Sequence, residues 1–400
     1  MKKFSLSIAF ALFIGAIAYS PVKAQDQDAK GTLERTWYAT CYTEKPKNEE
    51  KCYQLSKELK EKFPDTSYIK NVTGIIEGVE KTRAYDTANN KFQAALKAYY
   101  AAPDAGKVDQ LFAAGEELLK VVPGNQYVVG QMALAGAHGS LGQIYKNYDK
   151  VKGYGTQALQ AFEPTTPPEN WKADDWNDLR TIVMAQINQF LGYALIETKG
   201  DKEQAIAYLT KATQVKGKEN IGWKDPNNYW LRAGIYQEEY SALRKQYDAL
   251  PTDELKNGDQ GKALLKQVSE VIDTKLIPDY ARVIATATKP EAKSLLDAAK
   301  PTFDSYWKYR TNAPEKSAEY VRAFSADPTV AGPAIPVKAD DSSSAALDAP
   351  AGTAQKATMV MGGAPGSTPA TTNGAKATTT KAATGKAAPA KKAKAKKRRP

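Results

Sequence analysis

The chain has 400 residues, with 56 Lys and Arg against 45 Asp and Glu, one histidine and two cysteines. That composition excludes a zinc site built from several His or Cys ligands, and it leaves His138 without evident triad partners. The net charge of +11 would suggest a nucleic-acid binder, but residues 1–24 carry three lysines and no acid, residues 338–400 carry 12 basic and 3 acidic groups, and the stretch between is close to neutral.

In chain order, the first element reads as an export signal. Lys2-Lys3 precede an apolar run from Phe4 to Tyr19, followed by Pro21 and Val22-Lys23-Ala24. The small residue at −1 predicts cleavage before Gln25. The run falls short of the roughly 20 residues that span a bilayer, the residue just after the cleavage site is Gln25 and not a lipidatable cysteine, and no later stretch approaches spanning length. The mature protein is therefore expected in an exported compartment, periplasmic or secreted, most simply a bacterial periplasm. In such a compartment Cys41 and Cys52 are expected to pair. Pro46 and Lys47-Asn48 between them suit the turn of a helical hairpin, which the disulfide would staple. With no CxxC and no nearby histidine, a redox-active role is the weaker reading.

From residue 30 to about 325 the periodicity is helical and strand signals are nearly absent. Cys52, Leu55, Leu59 and Phe63 share one face before Pro64-Asp65. Helices are expected at Phe92–Tyr100, at Leu111–Val122 before Pro123-Gly124-Asn125, at Met132–Tyr145, and from Tyr148 to Pro164. Trp176, Leu179, Val183, Ile187, Phe190, Leu191, Ala194 and Leu195 form one face of a long helix over Trp176–Lys199, with Asp174 or Asp175 as its expected N-cap. Gly200-Asp201 breaks it, and Ala205, Ile206, Leu209 and Ala212 face inward on the next helix, which fades at Gly217. Beyond Gly222, Tyr236, Tyr240, Leu243, Tyr247 and Leu250 form a 4,3,4,3 seam. Leu264, Val268, Val271 and Ile272 mark a helix expected to kink or stop near Pro278. Two short capping helices are expected at Glu291–Lys300 and Glu315–Phe324.

Leu191-Gly192-Tyr193-Ala194-Leu195, the Gly200-Asp201 turn and Ala205-Ile206-Ala207-Tyr208-Leu209-Thr210-Lys211-Ala212 together resemble a tetratricopeptide repeat. In that family, small residues let paired helices approach closely while Tyr and Leu fill the gaps. Degenerate copies extend the resemblance over about residues 48–220, echoing the family's period of about 34 residues. The fold class expected is all-α, an α-solenoid of helical hairpins over 25–220, with further hairpins and capping helices over 221–326. The resemblance implies a groove lined by the first helix of each pair, which places Ser140, Gln143, Phe190, Ala194 and Glu197 on it. The lysines that some members use to clamp a carboxylate-ended peptide are absent, Gly136 and Phe190 standing in their places. An extended or helical protein segment is therefore the expected ligand.

From Asp327-Pro328 onward the sequence turns to Ala, Thr, Pro, Gly, Ser and Lys with no aromatic residue, a composition expected to stay disordered. It ends in Lys391, Lys392, Lys394, Lys396, Lys397, Arg398 and Arg399, which behind an export signal point to a tether for an anionic envelope polymer or lipid surface rather than a specific nucleic acid. No cofactor is implied. The acid pairs Asp174-Asp175 and Glu238-Glu239 sit about 100° apart on a helix and do not face each other across a substrate. No GxxxxGK[ST], GxSxG or HExxH motif occurs. The expectation is a noncatalytic protein-interaction scaffold of the cell envelope; the alternative is a cell-wall-active enzyme with an α-superhelical body.

Overall fold

In a computed structural model, residues 22–169, 171–217 and 221–338 are described, with side chains from Asp28 onward. The expected leader, apart from its last three residues, and the basic cluster Lys391–Arg399 lie outside them. The described chain is all-α. Its only bridges are two isolated ones, Lys216 with Gly222 and Thr311 with Val337. No described helix is long and apolar enough to cross a membrane.

The chain divides into two units at Ala84/Tyr85, within one helix. In the first unit, α1 (Val22–Tyr38) runs into a π turn (Ala39–Thr43), and α2 (Glu49–Lys62) and the start of α3 (Ile69–Ala101) follow. The α2 helix begins at Asn48, whose side chain accepts from the Lys51 amide and satisfies one of the otherwise unpaired donors of the first turn. Trp37, Cys41, Cys52, Tyr53, Leu59, Val72 and Ile76 form a small core. Cys41 and Cys52 are joined in a disulfide, with Cα atoms 5.1 Å apart. Beside it, buried Trp37 donates Nε1–H to Ser56 Oγ at 2.7 Å, and Ser56 in turn donates to the Cys52 carbonyl at 2.8 Å.

The second unit continues with α4 (Ala105–Val121), α5 (Gln126–Leu141), α6 (Tyr148–Phe162), α7 (Ala173–Glu197) and α8 (Lys202–Gln214). Asp104, Asn125, Asn147 and Asp201 start four of these helices, each side chain accepting a backbone N–H three residues on. The exception is α7. Its N-cap is Lys172, which makes no side-chain cap bond; Asp174 and Asp175 lie in the first turn instead. There they favour the positive end of the helix dipole without capping it.

Packing follows the small residues. Helix α5 packs on α4 and α6, α7 on α8, and α7 also on α5 and α6, an arrangement compatible with a helical repeat. A Cβ at Gly136 would fall 2.9 Å from Phe112 Cζ and from both Val151 methyls; one at Gly192 would fall 2.6 Å from Leu209 Cγ. The second helices of successive pairs begin at Ala105, Tyr148 and Lys202, intervals of 43 and 54 residues rather than an even 34. The longer interval holds the 25-residue α7 and the loop before it.

Helices α9 (Pro226–Asp248), α10 (Asp253–Asn257), α11 (Asp259–Val271), α12 (Ile277–Thr286), α13 (Lys293–Arg310) and α14 (Ser317–Arg322) complete the unit around a second core that includes Tyr229, Tyr240, Val268, Tyr280, Phe303, Tyr306, Trp307 and Phe324. The chain neither stops nor breaks at Pro278. A π turn over Ile272–Leu276 joins α11 to α12, and Pro278 falls in the first turn of α12, where a missing N–H costs no helical bond. Helix α13 outruns its expected end at Lys300 and continues to Arg310, because Phe303, Tyr306 and Trp307 extend its buried face; α3, expected only over Phe92–Tyr100, spans Ile69–Ala101, and α14 is shorter than expected.

The ordered chain also passes the Asp327 boundary expected from composition. Asp327 pairs with Lys216 at 2.8 Å, Arg282 donates to the Pro328 and Val330 carbonyls, and the Lys338 amide donates to the Arg310 carbonyl. Polar anchoring to the body holds a segment too poor in apolar side chains to hold itself.

The disulfide closes a loop of 11 residues against a small core, so loop-closure entropy gives it about 3 kcal/mol of stabilisation. Reduction is expected to lower the melting temperature of the first unit in calorimetry, while the transition of the second unit stays in place. Two thiols titrating in unreduced, oxidatively expressed protein would contradict the pairing.

Candidate binding face

The residues expected to line a groove are not brought together on one. Ser140, Phe190 and Ala194 are fully buried. Phe190 lies 6.5 Å from the Tyr148 ring within the main core. These three therefore offer a ligand no surface, because α5 and the second half of α7 are enclosed by neighbouring helices. Gln143 is exposed but lies beyond the end of α5, in a left-handed turn with φ 59°. Glu197 is exposed at the last residue of α7.

A different set of side chains reaches the surface on the same first helices. Tyr100 on α3 and Tyr127 on α5 are half-buried, as are Gln93, Gln131 and Trp171. The Tyr100 hydroxyl donates to Gln131 Oε1 at 3.2 Å. Tyr127 and Gln131 are one turn apart on α5, and Gln93 hydrogen-bonds the Tyr127 hydroxyl. Tyr127 lies edge-on to Phe92 at 6.4 Å and 6.5 Å from Trp171. Trp171 stands at 72° to buried Trp176, which stacks on Phe162 at 4.8 Å. The loop carrying Trp171 is tied down by Arg180, which donates to the carbonyls of Glu163 and Pro164, both at 3.1 Å. The result is a row of three aromatic rings and two amides, none charged, held by helices and a pinned loop. Burial pushes the Tyr100 phenol up to about 12 and raises that of Tyr127, so both hydroxyls stay neutral at physiological pH.

His138 lies on the same helix as Tyr127 and Gln131. The buried Tyr99 hydroxyl contacts the Ala135 carbonyl at 2.9 Å and His138 Nδ1 at 2.7 Å. A hydroxyl has one proton; if it donates to the carbonyl, it accepts from Nδ1–H, which assigns the tautomer. This is a packing role, with no nucleophile or carboxylate in the arrangement. Of the acid pairs, Glu238 pairs with Lys202 at 2.7 Å and Glu239 with Lys275 at 2.8 Å. Asp225 is half-buried; desolvation raises its carboxyl pKa, and it is spent on the N-cap of α9 and on Gln189. No group of three or more His, Cys, Asp or Glu among the described residues could hold a metal ion.

Compared with family models, characterised proteins and solved structures, the chain shows no match. Its function is therefore argued from this geometry.

Tyr100, Tyr127, Gln131 and Trp171 escaped the sequence reading. Aromatic residues at helical spacing read as core, and only the placement of Trp171 in a Pro-rich loop marked it as different.

Burial holds the His138 ring below the ordinary histidine range. As pH falls through about 6.5, the unfolded chain takes up the proton before the folded chain does. The contribution is thus intact above that value and lost on acidification. His138 is the single histidine, so His138→Gln is expected to flatten the fall of melting temperature between pH 7 and 5; identical slopes for variant and parent would contradict it.

Proposed function

We propose that this protein is a noncatalytic interaction scaffold of the cell envelope. In this reading a body of tetratricopeptide-like helical hairpins, stacked as a solenoid, binds an extended protein segment. The leader over residues 1–24 exports the chain, and the basic tail tethers it to an anionic polymer or lipid surface. The observation that carries the reading is the uncharged row of Tyr100, Tyr127, Trp171, Gln93 and Gln131. Partly buried aromatic rings on rigid supports, with an edge left open, are the usual anchors of protein interfaces. Amide side chains beside them match the alternating donors and acceptors of an extended backbone. The near neutrality of residues 25–337 against the basic end of the chain supports the division of labour between body and tail.

An interface anchor is worth about 2 kcal/mol on truncation. The double variant Tyr127→Ala/Trp171→Ala is therefore expected to lose partners captured by the parent from envelope extract, with affinity down at least tenfold and far-UV circular dichroism unchanged. Unaltered capture would reject the face, and release of soluble fragments from cell-wall glycan by the purified protein would favour an enzyme.

For the tail, a chain ending at Lys338 is expected to keep its helical signal and melting transition but to lose retention on heparin or anionic vesicles. Retention of the full chain is expected to fall steeply with salt, since such binding releases counterions. Equal retention of both chains at about 150 mM salt would place the anion site on the folded body.

A further inference from the structure

The segment 328–338 lies across α12 and α14 in a manner unlike the rest of the fold. It contains three prolines, Pro328, Pro333 and Pro336, and no helix or strand. Few points hold it. Arg282 donates Nε–H to the Pro328 carbonyl at 2.7 Å and Nη2–H to the Val330 carbonyl at 3.1 Å, reading two carbonyls two residues apart. The same guanidinium donates to Asp279 at 2.9 Å and lies 4.7 Å over the Phe324 ring. Asp279 is 1% exposed and takes a further bidentate grip from Arg232, so Arg282 is aimed before any segment arrives. Gly332 passes directly over two buried rings; a Cβ there would meet Phe324 Cζ at 2.7 Å and the Tyr320 hydroxyl at 2.8 Å. Ile335 packs against the core, but Val330 and Val337 are 45% and 43% exposed. Between the segment and Asp273, Thr274, Pro278, Arg282 and Tyr320 a cleft of about 380 Å³ stays unfilled.

A cover that buries little of its own apolar surface and leaves space beneath it belongs to the low end of local stability. The surface under it, by contrast, is preorganised. It has a pre-aimed Arg for successive carbonyls, an aromatic pair that admits only glycine, and an apolar contact beyond. Aromatic-lined clefts of this kind suit stiff, proline-containing segments, which forfeit little entropy on docking.

We infer that the α12–α14 cleft is a binding site for extended, proline-containing segments, and that residues 328–338 are its displaceable occupant in cis. A partner presenting two carbonyls to Arg282, a glycine over Tyr320 and Phe324, and an apolar residue three positions later takes the place of the chain's own segment. This site is separate from the α3–α5 face and does not depend on it.

The test uses the full chain and a fluorescein-labelled peptide of residues 327–338, read by anisotropy. In the full chain, Gly332→Val lifts the cis segment off the rings and leaves the cleft intact. The peptide is expected to bind this variant at least tenfold more tightly than the parent. A peptide carrying the same Gly332→Val change is expected to bind neither chain, and adding Arg282→Gln to the variant chain is expected to cost at least tenfold. Equal affinity for parent and variant, or binding indifferent to Arg282, would overturn the proposal. Hydrogen exchange on the parent provides a reading that needs no substitution. Amides of 329–338 are expected to exchange through a local opening far faster than those of α12 and α13. Exchange of the segment only with global unfolding would show a fixed part of the core and overturn the proposal equally.

Discussion

The second unit depends first on how closely its paired helices approach. At Gly136 and Gly192 the facing side chains, Phe112, Val151 and Leu209, already occupy the space where a Cβ would stand. Any larger residue would push α5 off α4 and α6, or α7 off α8. Close approach lets the rings of neighbouring helices interlock, and interlocking is what encloses α5 and α7. Helix α5 buries twelve of its sixteen residues. Little of such a helix is left for solvent, so the open part of its surface reduces to its first residue, Gln126, and the strip that carries Tyr127, Gln131 and His138. The candidate binding face is thus a by-product of tight packing: what does not fit between helices is displayed beside them.

The two units solve the same stability problem by different means. The first has few buried apolar side chains and adds a disulfide next to its buried Trp37, constraining the unfolded chain where the folded one gains little from burial. The second has two extensive apolar clusters and can accommodate buried charge. Asp279 is shared by Arg232 and Arg282, and Arg310 pairs with Asp273 through two bonds of 2.8 and 2.7 Å. Buried ion pairs of this kind add little net stability over apolar packing, yet removing one partner leaves an uncompensated charge and costs about 3–5 kcal/mol. Their effect is on geometry. They fix α12 against α9, and the π turn before α12 against α13, and Arg282 then determines how the chain leaves the body.

Charge is sorted by region. Within the described body, acids and bases meet in pairs, many on the surface and a few buried. The excess of positive charge lies in the last third of the region beyond Lys338. Surface pairs are weak contributors to stability, so this sorting matters for what the molecule attracts, more than for how it folds. In the proposed function, the uncharged aromatic strip on a neutral body and the concentrated basic end serve different classes of surface and need not compete.

The sequence by itself determined the all-α class and most helix positions, while the one N-cap expected from it, Asp174 or Asp175, lies inside the first turn instead. Apolar spacing and short capping side chains such as Asn125 and Asp201 act within a few residues, and so can be read locally. It also brought Cys41 and Cys52 within reach of each other, since a short hairpin lies between them. The tertiary structure alone decided which faces are open. The tetratricopeptide resemblance places Ser140, Phe190 and Ala194 on a groove by family register, but burial on α5 and α7 depends on helices that arrive from elsewhere in the chain. The same holds for the spacing of the helix pairs, which the length of α7 and its pinned loop made uneven. It holds for the π turn that carries α11 past Pro278. It holds most clearly for residues 328–338, where local composition predicts disorder. Order there is supplied by Arg282, 46 residues away in sequence from the carbonyl it holds, and no local pattern carries a contact at that distance.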